Sequence, residues 1–90
     1  MLYVVSYDIP DDKRRRKVAE LLEGFGQRVQ CSVFECDLSE KQYETLKAKL
    51  RKRIKDEDNL RFYPISAYSV QRIEVWNGVG VCSAPNSFII

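Results

Sequence analysis

Histidine is absent from the 90 residues, which removes the commonest general base and the commonest nitrogen ligand for transition metals. Histidine-based triads and histidine-ligated zinc sites are excluded. A catalytic site here has to be built from carboxylates, hydroxyls, amines or bound water, and hard oxygen ligands of that kind suit Mg²⁺ or Mn²⁺. Cysteine is scarce too: Cys31, Cys36 and Cys82 are odd in number, and no pair has the C-x-x-C spacing of a zinc or redox site. They read as reduced thiols of a cytoplasmic protein. No apolar run approaches the roughly 20 residues that span a bilayer. The cations at Lys13 to Lys17 follow the apolar start instead of preceding it, which argues against a secretory leader. Internal repeats and low-complexity tracts are missing as well.

What remains is a short chain with a nearly balanced charge. Fifteen Lys and Arg against thirteen Asp and Glu give a formal +2, so total charge does not mark a nucleic-acid binder. The distribution is more telling. Lys13 to Lys17 (KRRRK) is five cations in a row, and Lys47 to Lys55 (KAKLRKRIK) holds six with no acid. Such blocks make local positive faces on a near-neutral body. A single domain of this size buries only about 60 to 65% of its unfolded surface, and oligomerisation is a natural way to complete a thin core. A homodimer is expected.

Leu2 to Tyr7 reads as a strand, β-branched and aromatic with no breaker. Pro10, Asp11 and Asp12 then signal a helix start, and Val18, Leu21, Leu22 and Phe25 fall at i, i+3, i+4 and i+7 on one apolar face. Gly24 and Gly26 end that helix. Arg28 to Cys36 alternates as a strand does, either as one strand or as a tight hairpin broken near Cys31 and Ser32. Ser39 and Gln42 form a capping box for a second helix with the stripe Tyr43, Leu46, Leu50 and Ile54. Leu60 to Ile65 and Val70 to Trp76 read as further strands, with a turn near Ala67 to Ser69. The hairpin version gives βαββαβ, the ferredoxin-like α+β unit, over residues 1–76. Residues 77–86 follow as a linker, and the apolar Ser87 to Ile90 is expected to be a short strand pairing with a sheet edge, that of the other subunit.

Asp8 raises the main functional question. It stands where the first strand stops, and an acid at such a junction caps a helix more often than it binds anything. Here Asp11 and Asp12 already supply acids to the first turn, and Pro10 fixes the helical start after Asp8. That leaves Asp8 partly redundant as a cap. Mg²⁺ is often held by one or two carboxylates together with waters and phosphates, and a symmetric dimer can bring two copies of Asp8 together. The basic blocks have ordinary readings as solvated faces and as cations at the negative end of a helix dipole. Phosphate binding, for its part, needs that density of cations. Tyr7 and Phe34 read as nearby exposed aromatics able to stack bases, although a phenylalanine is more often packing than platform.

These residues also carry a resemblance. VVSYDIPDDKRRRKVAELLEGFG and RVQCSVFECDLS, with RFYPI and the short apolar tail, resemble the small CRISPR-associated protein family Cas2 over essentially the whole chain. The resemblance implies a ferredoxin-like homodimer in which Asp8 faces its twin and binds a divalent metal. It implies a metal-dependent endonuclease acting on RNA or duplex DNA, and a partner of the CRISPR integrase (Cas1) in capture of new spacers. By position, Tyr7, Asp8, Arg15, Lys17, Arg28 and Phe34 align with residues the family associates with its site; Asp8 and Tyr7 are the catalytic candidates, and the candidates for nucleic-acid contact are Arg15, Lys17, Arg28 and Phe34 together with Arg14 and Arg16 of the basic run. Lys17 stands where arginine is frequent and lacks the bidentate fork. Cys31 replaces a frequent tyrosine. The rival expectation is a non-catalytic dimeric adaptor that grips DNA by its backbone and displays its C-terminal strand to the integrase; a structural module without nucleic acid ranks third.

Overall fold

A computed structural model describes residues 1–77. Seven elements follow in order: β1 (Leu2–Asp8), α1 (Asp12–Glu23), β2 (Gln27–Gln30), β3 (Val33–Asp37), α2 (Glu40–Arg51), β4 (Asn59–Ile65) and the short α3 (Ala67–Val70). Up to β4 this is βαββαβ, the ferredoxin-like unit expected from the sequence. The sheet runs β2-β3-β1-β4, with β1 antiparallel to both β3 and β4.

The local chemistry explains each boundary. Asp11 is the N-cap of α1, its carboxylate accepting from the Arg14 backbone N–H. Gly24 closes the helix through its own N–H to Leu21 O at 3.1 Å. Ser39 and Gln42 form the reciprocal capping box of α2, and Lys49 and Arg51 sit favourably in its last turn. The Arg28 to Cys36 segment is the hairpin: Cys31 and Ser32 make its turn, and β2 is bulged between Arg28 and Gln30.

Both long helices cover one face of the sheet. Val5 and Tyr7 of β1 and Phe34 and Cys36 of β3 meet Val18, Ala19 and Leu22 of α1 and Leu46 and Leu50 of α2 in one buried cluster. Tyr3, Tyr43 and Phe62 extend it as an aromatic stack, the first two rings 3.9 Å apart. Each fully buried aliphatic side chain contributes about 1.5 to 3 kcal/mol.

The other face is uncovered. Strand residues alternate sides, so Leu2, Val4, Ser6 and Asp8 point away from the helices, beside Ile65, Tyr63, Arg61 and Asn59 of β4 in register. None of these eight is buried. The face is graded: apolar at the Leu2 end and polar at the Asp8 end.

Two expectations are corrected. Val70 to Trp76 is not a strand: Ser66 caps the turn of α3, its Oγ accepting from Ser69 N at 3.2 Å, and no strand follows before residue 78. Strand propensity depends on finding a pleated surface to pack on, and Val75 and Trp76 remain 71% and 80% exposed. Tyr7 and Phe34 are not exposed but core. The expected C-terminal strand, Ser87 to Ile90, and all of the expected linker after residue 77 lie outside the described residues. Among the described residues no helix is long and apolar enough to cross a membrane.

Candidate metal and nucleic-acid site

The β1–α1 junction leaves Asp8 without structural work. Cap duty falls to Asp11, 2.8 Å from Arg14 N, and that N–H holds the Asp11 carboxyl below its ordinary value. The turn between them is tied by Arg15, whose Nη1 donates to Ile9 O at 2.8 Å. Asp8 itself is exposed and opposite Asn59. Among the described residues no hydrogen bond or ion pair engages its side chain.

On the helix-covered side an open groove of about 680 Å³ lies between α1 and the β2–β3 hairpin, with Arg15, Arg16 and Arg28 facing Asp12, Glu20 and Glu23. Two of these cations are committed. Arg15 pairs with Asp12, and Arg28 lies 3.7 Å from Glu23 with its guanidinium 5.3 Å from the Phe34 ring centroid. Arg16 is exposed and forms no ion pair with a described residue. Tyr7 lines this groove too, but it is only 6% exposed and its hydroxyl donates to Cys31 O at 3.3 Å.

The residues expected from sequence therefore separate. Tyr7, Arg15, Arg16 and Arg28 share the groove, and Asp8 faces the open side of the sheet. Lys17 lies on another flank of α1, near Arg53. Phe34 is corrected: at 0% exposure it supports Arg28 from beneath and has no face free for a base. Arg14 is corrected as well. Its fork grips Asp58 at 2.8 and 2.9 Å and Glu57 at 2.6 Å, clamping α1 to the loop before β4. Asp58, its side chain fully buried, also accepts from Lys55 N at 2.9 Å, and Arg14 holds its carboxyl below the ordinary value.

Sequence reasoning missed this clamp, whose only signal is the acid run at Asp56 to Asp58. It also missed Asn59 and Arg61, which strand alternation brings onto the same face as Asp8. Among the described residues no group of three or more Asp, Glu, Cys or His could hold a metal ion. Among the described residues, the Asp8 end of this sheet face thus offers a hard cation one carboxylate, that of Asp8. That fits an ion completed by a second carboxylate, waters and phosphate oxygens.

Comparison with known proteins follows the same lines. The family model described as CRISPR associated protein Cas2 matches residues 1–73. A Synechocystis protein named CRISPR-associated endoribonuclease Cas2 3 is 50% identical over 90 residues, covering 99% of this chain and 98% of its own. The crystal structure of Streptococcus pyogenes Cas2 superposes with a TM-score of 0.75 at 35% identity, covering 86% of this chain and all of that one. A chain of a partial Cas6-RT-Cas1–Cas2 complex gives a TM-score of 0.75 at 33% identity, covering 86% and 91%. The chain belongs to the CRISPR-associated Cas2 family.

Proposed function

We propose that this Cas2 chain works in the cytoplasm as a homodimer in the acquisition of new CRISPR spacers, and that it is an endonuclease dependent on a divalent metal, Mg²⁺ or Mn²⁺. The observation that carries the reading is Asp8: an exposed carboxylate at the end of a central strand, relieved of capping by Asp11. The open sheet face supports the dimer. Its apolar end, Leu2, Val4, Tyr63 and Ile65, suits burial against the same patch of a second copy, and a two-fold axis there brings two Asp8 carboxylates to one place.

The reaction is phosphodiester hydrolysis. A water oxygen bonds to phosphorus, one P–O ester bond breaks, the departing oxygen gains a proton, and a phosphomonoester and a free hydroxyl result. A divalent ion, when bound, supplies Lewis acidity and a water of lowered pKa. The Asp8 pair would hold that ion by its carboxylate oxygens. Arg16 and Lys17, exposed and without ion pairs among the described residues, contact the nucleic-acid backbone, while Arg15 and Arg28 shape the groove beside them. The endoribonuclease name of the Synechocystis relative favours RNA as the cleaved strand, with duplex DNA as the other substrate.

A second reading has its own support. One carboxylate per chain, with no histidine and no further metal-binding cluster among the described residues, makes a modest catalyst. A dimer that bridges the integrase Cas1 without cleaving accords with the Cas1–Cas2 complex containing a similar chain. The test is Asp8→Asn. Asparagine caps as well as aspartate, so the variant should fold, melt like the wild type and stay dimeric. It should lose Mg²⁺-dependent cleavage of single-stranded RNA and duplex DNA. Wild-type cleavage in the purified variant would leave the adaptor reading alone.

A further inference from the structure

The Asp8 face carries a second chemical group that the reading above does not use. In the β1–β4 ladder Asp8 is opposite Asn59, and Ser6 is opposite Arg61. Asp8 and Ser6 are two apart on one strand and so share a face, which makes Arg61 the diagonal neighbour of Asp8. Diagonal pairs in an antiparallel ladder lie about 7 to 8 Å apart, within the reach of an arginine side chain. Along β1, β3 and β4, Arg61 is the one cation on this face: its other members are Leu2, Val4, Ser6 and Asp8, then Val33, Glu35 and Asp37, then Asn59, Tyr63 and Ile65.

Three arginines of the opposite side are committed: Arg14 to Asp58, Arg15 to Asp12, Arg28 to Glu23. Arg61 is exposed, and no carboxylate of the described residues pairs with it. Its described partner is a neutral one, the Tyr63 hydroxyl, which accepts from Nη1 at 3.2 Å. A guanidinium has five N–H donors, so this contact steadies the head while leaving most of the fork available. A fork of that shape matches two phosphate oxygens.

We infer that Arg61 is a substrate-contacting residue of the Asp8 site, its guanidinium taking the non-bridging oxygens of the phosphodiester that lies against Asp8. Tyr63 is its positioning residue. The inference rests on Asp8 being the site of reaction. It supplies what that site lacks, a positive charge within reach of the acid, to which the guanidinium turns from its contact with Tyr63, opposite Val4. Negative charge grows on the non-bridging oxygens as the water adds, so the contact strengthens toward the transition state.

The experiment uses the full chain and four variants: Arg61→Gln, Arg61→Lys, Tyr63→Phe and Asp8→Asn. Arg61→Gln should stay dimeric in sedimentation velocity and bind Mn²⁺ alone as the wild type does, by electron paramagnetic resonance. Its cleavage of single-stranded RNA should fall about 10²- to 10³-fold in kcat, the usual cost of one donor aimed at developing charge. Arg61→Lys should recover part of that loss, and Tyr63→Phe should lose less than Arg61→Gln. In the absence of divalent ions the slope of log affinity for RNA against log salt should drop by about one for Arg61→Gln. Unchanged cleavage together with an unchanged slope would overturn the inference. So would a monomeric Arg61→Gln, or one that no longer binds Mn²⁺, because the residue would then serve the interface or the ion. Failure of the Asp8 reading looks different: Asp8→Asn binds Mn²⁺ and cleaves like the wild type. In that event the metal-free salt slope alone decides the phosphate contact of Arg61.

Discussion

Replacing Gly26 by alanine isolates the hairpin that builds one wall of the groove. Gly26 follows α1, donating to Leu22 O at 2.9 Å, and lies directly against β3. A Cβ built there would stand 2.8 Å from Cys36 Cα and closer still to Cys36 Sγ and Glu35 O. Two of these three are backbone atoms of a paired strand, so they cannot swing aside as a side-chain tip would. Either β3 shifts or the α1–β2 link does. Forcing one extra carbon into such a contact costs about 1 to 3 kcal/mol. With about 4 to 8 °C of Tm per kcal/mol for a domain of 60 to 100 residues, a cost of about 2 kcal/mol lowers Tm by about 8 to 16 °C. Gly24→Ala is the control. Its Cβ would meet only Leu21 O at 3.4 Å, and its φ of −77° suits any residue, so Tm should hold or rise slightly. Thermal unfolding followed by circular dichroism reads both. A Gly26→Ala protein that melts within about 2 °C of wild type would refute the reasoning, because the close approach would then be relieved at no cost.

Two further outcomes follow from the cations. Arg14→Gln should lower Tm near neutral pH, since it strips the buried Asp58 of its guanidinium; the Asp58 pKa is depressed by that contact, so the stabilisation is full above the ordinary carboxylate value near 3.8 and is lost as pH falls through the lower folded value. Tm scans across that acid range should show the gap between wild type and variant closing, and a gap that persists at the acid end would contradict the pairing. Neutralising Arg16 and Lys17 together should cut the salt slope of RNA binding by about two, whereas Arg14→Gln should leave it unchanged; equal effects from both variants would return Arg14 to the binding surface.

The parts of this structure legible in the sequence are those decided by local chemistry. The 3.6-residue period of Val18, Leu21, Leu22 and Phe25 and the Ser39–Gln42 box name helices that formed where expected. The redundancy of Asp8 as a cap was readable because Pro10, Asp11 and Asp12 follow within four positions. What failed depended on partners distant in the chain. Arg14 reads as one cation among five until Asp58, 44 residues away, folds back onto it. Phe34 alternates correctly along β3, but alternation gives two faces without saying which one the helices will cover. Val70 to Trp76 failed for a local reason instead: its composition is strand-like, yet Ser66, a cap of the kind read correctly at Ser39, captures the start of that segment for a helical turn.

The same alternation constrains how the site can work. Tyr7 and Asp8 are neighbours in sequence, but Tyr7 turns into the core beside the groove and Asp8 turns to the open face. A single phosphate cannot touch both Asp8 and the groove of Arg15, Arg16 and Arg28, because β1 itself stands between them. A nucleic-acid strand that engages both must cross the carboxyl end of β1, where the sheet stops. The turn of Ile9 and Pro10 lies at that crossing, stiffened by proline and by Arg15 on Ile9 O. The contacts then fall in sequence along the backbone of the bound strand. On the proposed function, Arg16 and Lys17 would hold the approach and Asp8 would meet the phosphodiester past the edge. Arg61 would face that phosphodiester from β4, on the side where no other strand residue of β1, β3 or β4 carries positive charge.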